Sequence, residues 1–151
     1  MTQLIEGQVT SDKVLDVLGQ ILGLGGDLDP EMRQIARFME NEVILGFKQS
    51  RSPYGEVWKP VEHRNGQPLI DTRDLLGSIS SNYGPDFAEV GTNKEYGPIH
   101  QFGGYTGINK STKITARPYL PIEGDEVVLP DYWEEEVLAI LTTKLERLTN
   151  G

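Results

Sequence analysis

A chain of 151 residues and 16.8 kDa is long enough for one domain with a sizeable core, and its 37% hydrophobic and 25% charged residues are those of an ordinary globular protein. The formal net charge of -9 argues against a nucleic-acid binder, because phosphate recognition is driven by clustered Lys and Arg. With no Cys there is neither a disulfide framework nor a thiolate to act as nucleophile or ligand.

No apolar run approaches the roughly 18 residues that span a bilayer, so no membrane association is expected. The start, Met1-Thr-Gln-Leu-Ile-Glu6, lacks the basic n-region and apolar core of a signal peptide, and the absence of Cys fits synthesis in the cytoplasm. Residues 123–136 are strongly acidic, while 48–64 and 110–117 lean basic. Such patches are either solvated surface or the two halves of a head-to-tail contact between copies.

In chain order, a helix is predicted from an N-cap at Ser11, with Val14, Leu15, Leu18, Ile21 and Leu22 on one face and Gly23, Gly25 and Gly26 ending it. A second helix opens with Asp29 as cap and Pro30 at its first position, and Ile35, Phe38, Met39, Val43 and Phe47 continue its apolar stripe. The texture then changes to short, broken segments. Asp71-Thr72 is placed to cap a short helix through Gly77. Ser78–Tyr83 and Phe87–Val90 alternate as strands around the turn Gly84-Pro85-Asp86, and Lys113–Ala116 reads as another strand. The polar stretch 105–112 is a hairpin tip or a mobile loop.

A last helix follows Asp131, with Glu134 three residues on as a capping box and Trp133, Val137, Ile140, Leu141, Leu145 and Leu148 on its apolar face. Its acids (Glu134, Glu135, Glu136) lie near the amino end and its bases (Lys144, Arg147) near the carboxyl end, as the helix dipole prefers. The expected fold is therefore α+β: a small, mainly antiparallel sheet packed with an N-terminal helix pair and a long C-terminal helix. Residues 1–151 are expected to form a single domain, with a helical part over 1–49, a turn- and strand-rich part over 50–122 and the C-terminal helix region over 123–151.

The chemistry-bearing stretch is Tyr96-Gly-Pro-Ile-His-Gln-Phe-Gly-Gly104, followed beyond the polar loop by Ala116-Arg-Pro-Tyr-Leu120. His100 invites a catalytic interpretation, but the chain has only one other His, no His-Glu spacing of a zinc helix and no nucleophile elbow. Gly23-Leu-Gly-Gly26 is not followed by the Lys-Ser/Thr of a phosphate loop. No enzyme activity, metal or cofactor is expected. What the chain offers is rigid turns carrying aromatics. Ser52-Pro-Tyr-Gly55 is a good turn, and Trp58-Lys-Pro60 follows it. Trp58, Tyr96, His100, Phe102, Arg117 and Tyr119 are the candidate contacts to a partner or a second copy, each weighed against a place inside the fold.

These residues carry a resemblance. Ser52-Pro53-x-Gly55-x-x-Trp58-x-Pro60, Leu69-Ile-Asp-Thr72 with Leu75, Ser78-Ile79, Val90-Gly91-Thr92, Tyr96 with Ile99-His-Gln-Phe-Gly103, and Ala116-Arg-Pro-Tyr-Leu120 resemble, in order and spacing, the motifs of the phage virion morphogenesis (tail completion) family. Tyr54 stands where that family commonly has an acid, Arg73 where it often has Gly, and Gly97-Pro98 where small residues usually follow the Tyr. The resemblance implies a structural protein of a tailed bacteriophage or prophage, acting late in assembly at the head-tail junction and located in the virion there. It also implies a ring, often six-fold, with neck, head-connector or tail-tube proteins as partners. The alternatives are a soluble binding adaptor outside the virion and a small hydrolase using His100.

Overall fold

The computed structural model describes residues 3–4, 12–59, 73–94, 96–106, 108–110, 112–124 and 126–150. Helix α1 (Asp12–Gly23) ends where expected and for the expected reason. Gly25 is left-handed (φ 73°), Gly26 N–H donates to Ile21 O at 3.1 Å and Gly25 N–H to Leu22 O at 3.0 Å. That paired closure is the Schellman motif, which a side chain at Gly25 would strain. A Cβ on Gly26 would fall 2.7 Å from Leu148 Cδ1, so its lack of a side chain lets α1 close onto the last helix. The Ser11 cap lies outside the described residues.

The apolar face of α1 is narrower than its periodicity implied. Val14 and Ile21 are buried, whereas Leu15 and Leu22 are exposed. The helix lies chiefly against α5 (Asp131–Asn150), and a single packing partner covers only a narrow stripe.

Helix α2 (Asp29–Gln49) forms the spine, with Met32, Ile35, Ala36, Met39, Val43 and Phe47 buried along one face. Asp29 is its first helical residue, not its cap. Asp27 Oδ1 accepts the Asp29 N–H at 3.1 Å, and Leu28 O takes the Met32 N–H at 2.8 Å. Asp131 likewise sits inside its helix, since Pro130 O accepts the Glu134 N–H at 2.9 Å. Both acids still lie in a first turn, where they complement the helix dipole.

Helices α2 and α5 run antiparallel. Phe38 meets Tyr132 and Trp133 edge-on, each at 6.0 Å, at the start of α5. At its far end Lys144 Nζ lies 3.3 Å from the buried Glu31 carboxylate, with Arg147 at 3.9 Å. Glu31 is buried, so removing both cations would leave its charge unneutralised, which is costly.

Helix α3 (Arg73–Gly77) leads into the hairpin β2 (Ser80–Gly84) and β3 (Phe87–Thr92), with β1 (Gln3–Leu4) antiparallel on the other side of β3. Pro85 and Asp86 form the turn without positive φ; Pro85 fixes its own φ, and Asp86 adopts an ordinary negative one. Ser78 and Ile79 close α3 by donating to Leu75 O and Leu76 O, so the strand starts two residues later than its alternation suggested. The Asp71-Thr72 cap lies outside the described residues. Helix α2 packs across this sheet.

The remaining elements are short. Helix α4 (Gly97–Phe102) occupies the corner and runs into β4 (Gly104–Thr106), which pairs antiparallel with β5 (Thr112–Ile114) around a turn at Ile108–Lys110. Within the polar stretch, Ile108–Lys110 thus lie at a hairpin tip. Strand β5 ends before Ala116 because the Arg117 N–H turns away to His100 O at 2.8 Å. A second hairpin, β6 (Ile122–Glu123) and β7 (Glu126–Val127), precedes α5 and had no clear sequence signal. The architecture is α+β, with the core gathered where α2, α5 and the β2–β3 sheet meet.

Candidate functional site

The corner is organised by one buried amide. Gln101, 3% exposed, accepts the Tyr119 and Leu120 N–H groups at its Oε1, both at 2.9 Å, and donates from Nε2 to Leu120 O at 3.2 Å. It substitutes for a neighbouring strand, satisfying backbone groups of an irregular segment that water cannot reach. Tyr119, 2% exposed, reaches back and donates its hydroxyl to Gly97 O at 2.8 Å. Burial holds this phenol well above its usual ionisation range, so it stays a donor. Gly97 has to be Gly, because a Cβ there would lie 2.8 Å from Thr92 Cγ2 and 2.9 Å from the Tyr119 hydroxyl. Gly103 (φ 74°) ends α4, donating to Ile99 O at 2.8 Å with Ala116 N packed over it.

Trp58 grips the same segment from the other side. Its Nε1 donates to Pro118 O at 2.7 Å, and its ring stands edge-on to Phe47 at 5.6 Å. Phe47 also meets the Tyr119 ring at 5.3 Å. The turn before it presents Trp58 through Ser52, whose Oγ accepts the Tyr54 and Glu56 N–H groups at 3.2 Å, while Gly55 takes φ 87°. Tyr54 donates to Val128 O at 2.6 Å, and burial beside the Glu123 charge pushes its phenol up to about 12. Thr92, 1% exposed, closes the far wall by bonding Ser78 Oγ and accepting the Lys94 N–H at 3.1 Å.

The structure thus divides the predicted contact residues. Trp58 and Tyr119 are buried. Each has a backbone partner and a core ring to pack against, which rewards burial over exposure within this chain. Arg117 is half-exposed, and its Nε donates to Lys59 O at 3.2 Å in its own chain. Tyr96 and Phe102 remain on the surface, Phe102 at 54% exposure, and Tyr105 joins them at 60%. Gln101 and Thr92 were missed. Their types are usually exposed, and nothing local to the sequence marks a polar side chain that will face inward.

His100 is half-buried, its ring edge-on to Tyr96 at 5.8 Å. Burial and then the Arg117 charge lower its pKa, so it is neutral at pH 7. Its Nδ1 is buried and has no hydrogen-bond partner among the described residues. Because the folded corner disfavours the imidazolium, the unfolded chain takes up that proton first. Stability is therefore complete above the ordinary value of 6.5 and declines as pH falls below it. His100→Phe keeps a ring against Tyr96 without the titration, and its melting temperature should fall less between pH 7 and pH 5. Equal slopes in wild type and variant would exclude this account.

The hydrolase alternative needed a pocket with carboxylates converging on His100. A cavity of about 1000 Å³ lies elsewhere, between α1, α2, α5 and β3, with a mostly apolar lining that includes Val14, Met32, Ile35 and Val90. Among the described residues no cluster of His, Asp and Glu could hold a metal ion, and no described helix is long and apolar enough to cross a membrane.

The comparisons with known proteins agree with the motif set that builds this corner. Mu-like prophage FluMu G protein 2 of Haemophilus influenzae is 45% identical over 91 residues, covering 60% of this chain and 64% of that protein. Mu-like prophage FluMu G protein 1 of the same organism is 30% identical over 129 residues, 78% of this chain and 79% of that protein. A protein of Escherichia phage Mu named for capsid assembly is 39% identical over 51 residues, a third of each chain. No solved structure matches. The model of the phage virion morphogenesis family matches residues 9–145, from before α1 into α5 and including the β2–β3 hairpin and the whole corner, and the chain belongs to that family, with a role in virion assembly.

Proposed function

We propose that this chain is a non-enzymatic tail completion protein that acts as one domain at the head-tail junction of a phage or prophage particle and assembles there as a six-fold ring. The observation that carries the reading is the construction of the corner. The family-like residues Ser52, Trp58, Gln101 and Tyr119 are used up inside it as braces, and the result is a rigid platform that leaves Tyr96 and Phe102 outside. Rigid aromatic surface loses little entropy on docking, which suits permanent assembly with neck, head-connector or tail-tube proteins. A net charge of -9 suits a protein beside passing DNA, since it repels the duplex and binds no nucleic acid specifically.

A second position is favoured by one observation, the capsid-assembly name of the phage Mu relative. Deleting the gene from an inducible prophage and imaging the lysate separates the two. Separate full heads and finished tails are expected at the junction, whereas malformed heads would place the protein on the head side. Normally joined, infectious particles would refute both.

A further inference from the structure

Two surface patches of opposite character lie beside each other on this molecule. The first surrounds the corner. Val57, Phe102 and Tyr105 are exposed there, and exposed Lys59 and Lys113 lie among them. Lys113 is the cross-strand partner of Tyr105, and the Lys59 carbonyl is held by Arg117, so these bases share the aromatic surface.

The second patch is the β6–β7 hairpin and the first turns of α5. Glu123 and Glu126 are directly paired across that hairpin, both exposed, an arrangement of like charges that weakens a sheet. A second like-charge contact stands nearby, where burial and the charge of Glu136 raise the pKa of Glu42. Tyr132 gives this acidic ledge an exposed aromatic, at 57%. The patches are offset along α2, since Tyr132 packs at Phe38 and Trp58 at Phe47. At 1.5 Å per residue that interval is about 14 Å.

We propose that the basic aromatic corner of one copy docks on the acidic ledge of the next copy, head to tail. The inference rests on the ring reading and supplies its contact. Among the described residues Glu123 and Glu126 form no ion pair, and bases complementary to them stand on the other patch of the same chain. Two different, complementary patches make a heterologous interface, which closes into a ring when the rotation permits. Lys, Glu and aromatic groups then meet as charge-assisted pairs around stacked rings.

Charge exchange tests this in particles lacking the native gene. Lys59→Glu with Lys113→Glu, and separately Glu123→Lys with Glu126→Lys, should each lower infectious titre about tenfold or more, because like charges then face each other across the contact. Producing both variants together should restore titre, since each altered patch now meets its opposite on the other chain. Either pair leaving titre unchanged, or co-production failing to restore it, overturns the proposal; the latter outcome would assign the corner to a different virion protein. Deletion without effect on titre would instead remove the assembly reading itself.

A second arm does not depend on reversed charges. The chain has no Cys, so Lys113→Cys with Glu126→Cys in one chain introduces the sole thiols. Mild oxidation of particles should give a ladder of linked copies, and single-Cys chains should give none. Absence of the ladder also overturns the proposal.

Discussion

Gln101→Leu is expected to lower stability by about 3 kcal/mol or more, and the melting temperature by roughly 6–12 °C. Leucine fills similar space, so the loss comes from polarity. The Tyr119 and Leu120 N–H groups, now without an acceptor, stay buried, and Leu120 O loses its donor. A buried donor left unsatisfied costs about 1–3 kcal/mol, more than the bond contributes when made. Against a total of about 5–15 kcal/mol that is a large share. Gln101→Glu retains the acceptor and loses the donor, so it should fall between the two. Thermal unfolding followed by circular dichroism reads all three, and a leucine variant melting within experimental error of wild type would show that Gln101 is not the brace. Particle assembly should fail with the same variant, because the exposed Phe102 and Tyr105 take their positions from this corner.

Trp58→Ala is the second large effect, about 3–5 kcal/mol. The indole is 4% exposed, stands edge-on to Phe47 and donates to Pro118 O. Truncation opens a cavity at the end of α2 and orphans a carbonyl. Trp58→Phe separates these contributions: it keeps most of the ring contact and loses only the N–H, for which about 1 kcal/mol is expected. Trp58 and Gln101 hold the same short segment, Pro118 to Leu120, from opposite sides. The double variant should therefore lose less than the sum of the single losses, since once the segment is released the second brace has nothing to hold. Additive losses in denaturant titrations would mean that the two braces act on independent parts of the fold.

These expectations bear on how the virion-assembly role is built. An aromatic within a rigid turn motif, such as Trp58 or Tyr119, invites assignment to an interface, and in this protein both stabilise the platform from within. The surface available to partners is carried by neighbours one or a few positions away: Val57 beside Trp58, and Phe102 beside Gln101. Alternation between an inward brace and an outward contact over adjacent residues gives the exposed rings a fixed position and lowers the entropy lost when they dock.

Much of this protein was legible in the amino-acid order. The apolar stripes Ile35–Phe47 and Trp133–Leu141 place α2 and α5, because helical period and burial are both local properties of sequence. Gly25, Pro85 and Gly103 mark their turns because each restricts or frees its own φ. The phage family is carried by short motifs whose order survives in a linear reading. Which side of each motif faces inward was decided by tertiary structure alone. The exposure of Leu15 and Leu22 depends on how much of α1 the neighbouring helix covers, and α4 forms in a Gly- and Pro-flanked stretch because Gln101, Tyr119 and Arg117 bond it to residues far along the chain. A buried polar side chain is stable only when distant backbone supplies its partners, so its role is set by the assembled fold and not by its neighbours in sequence.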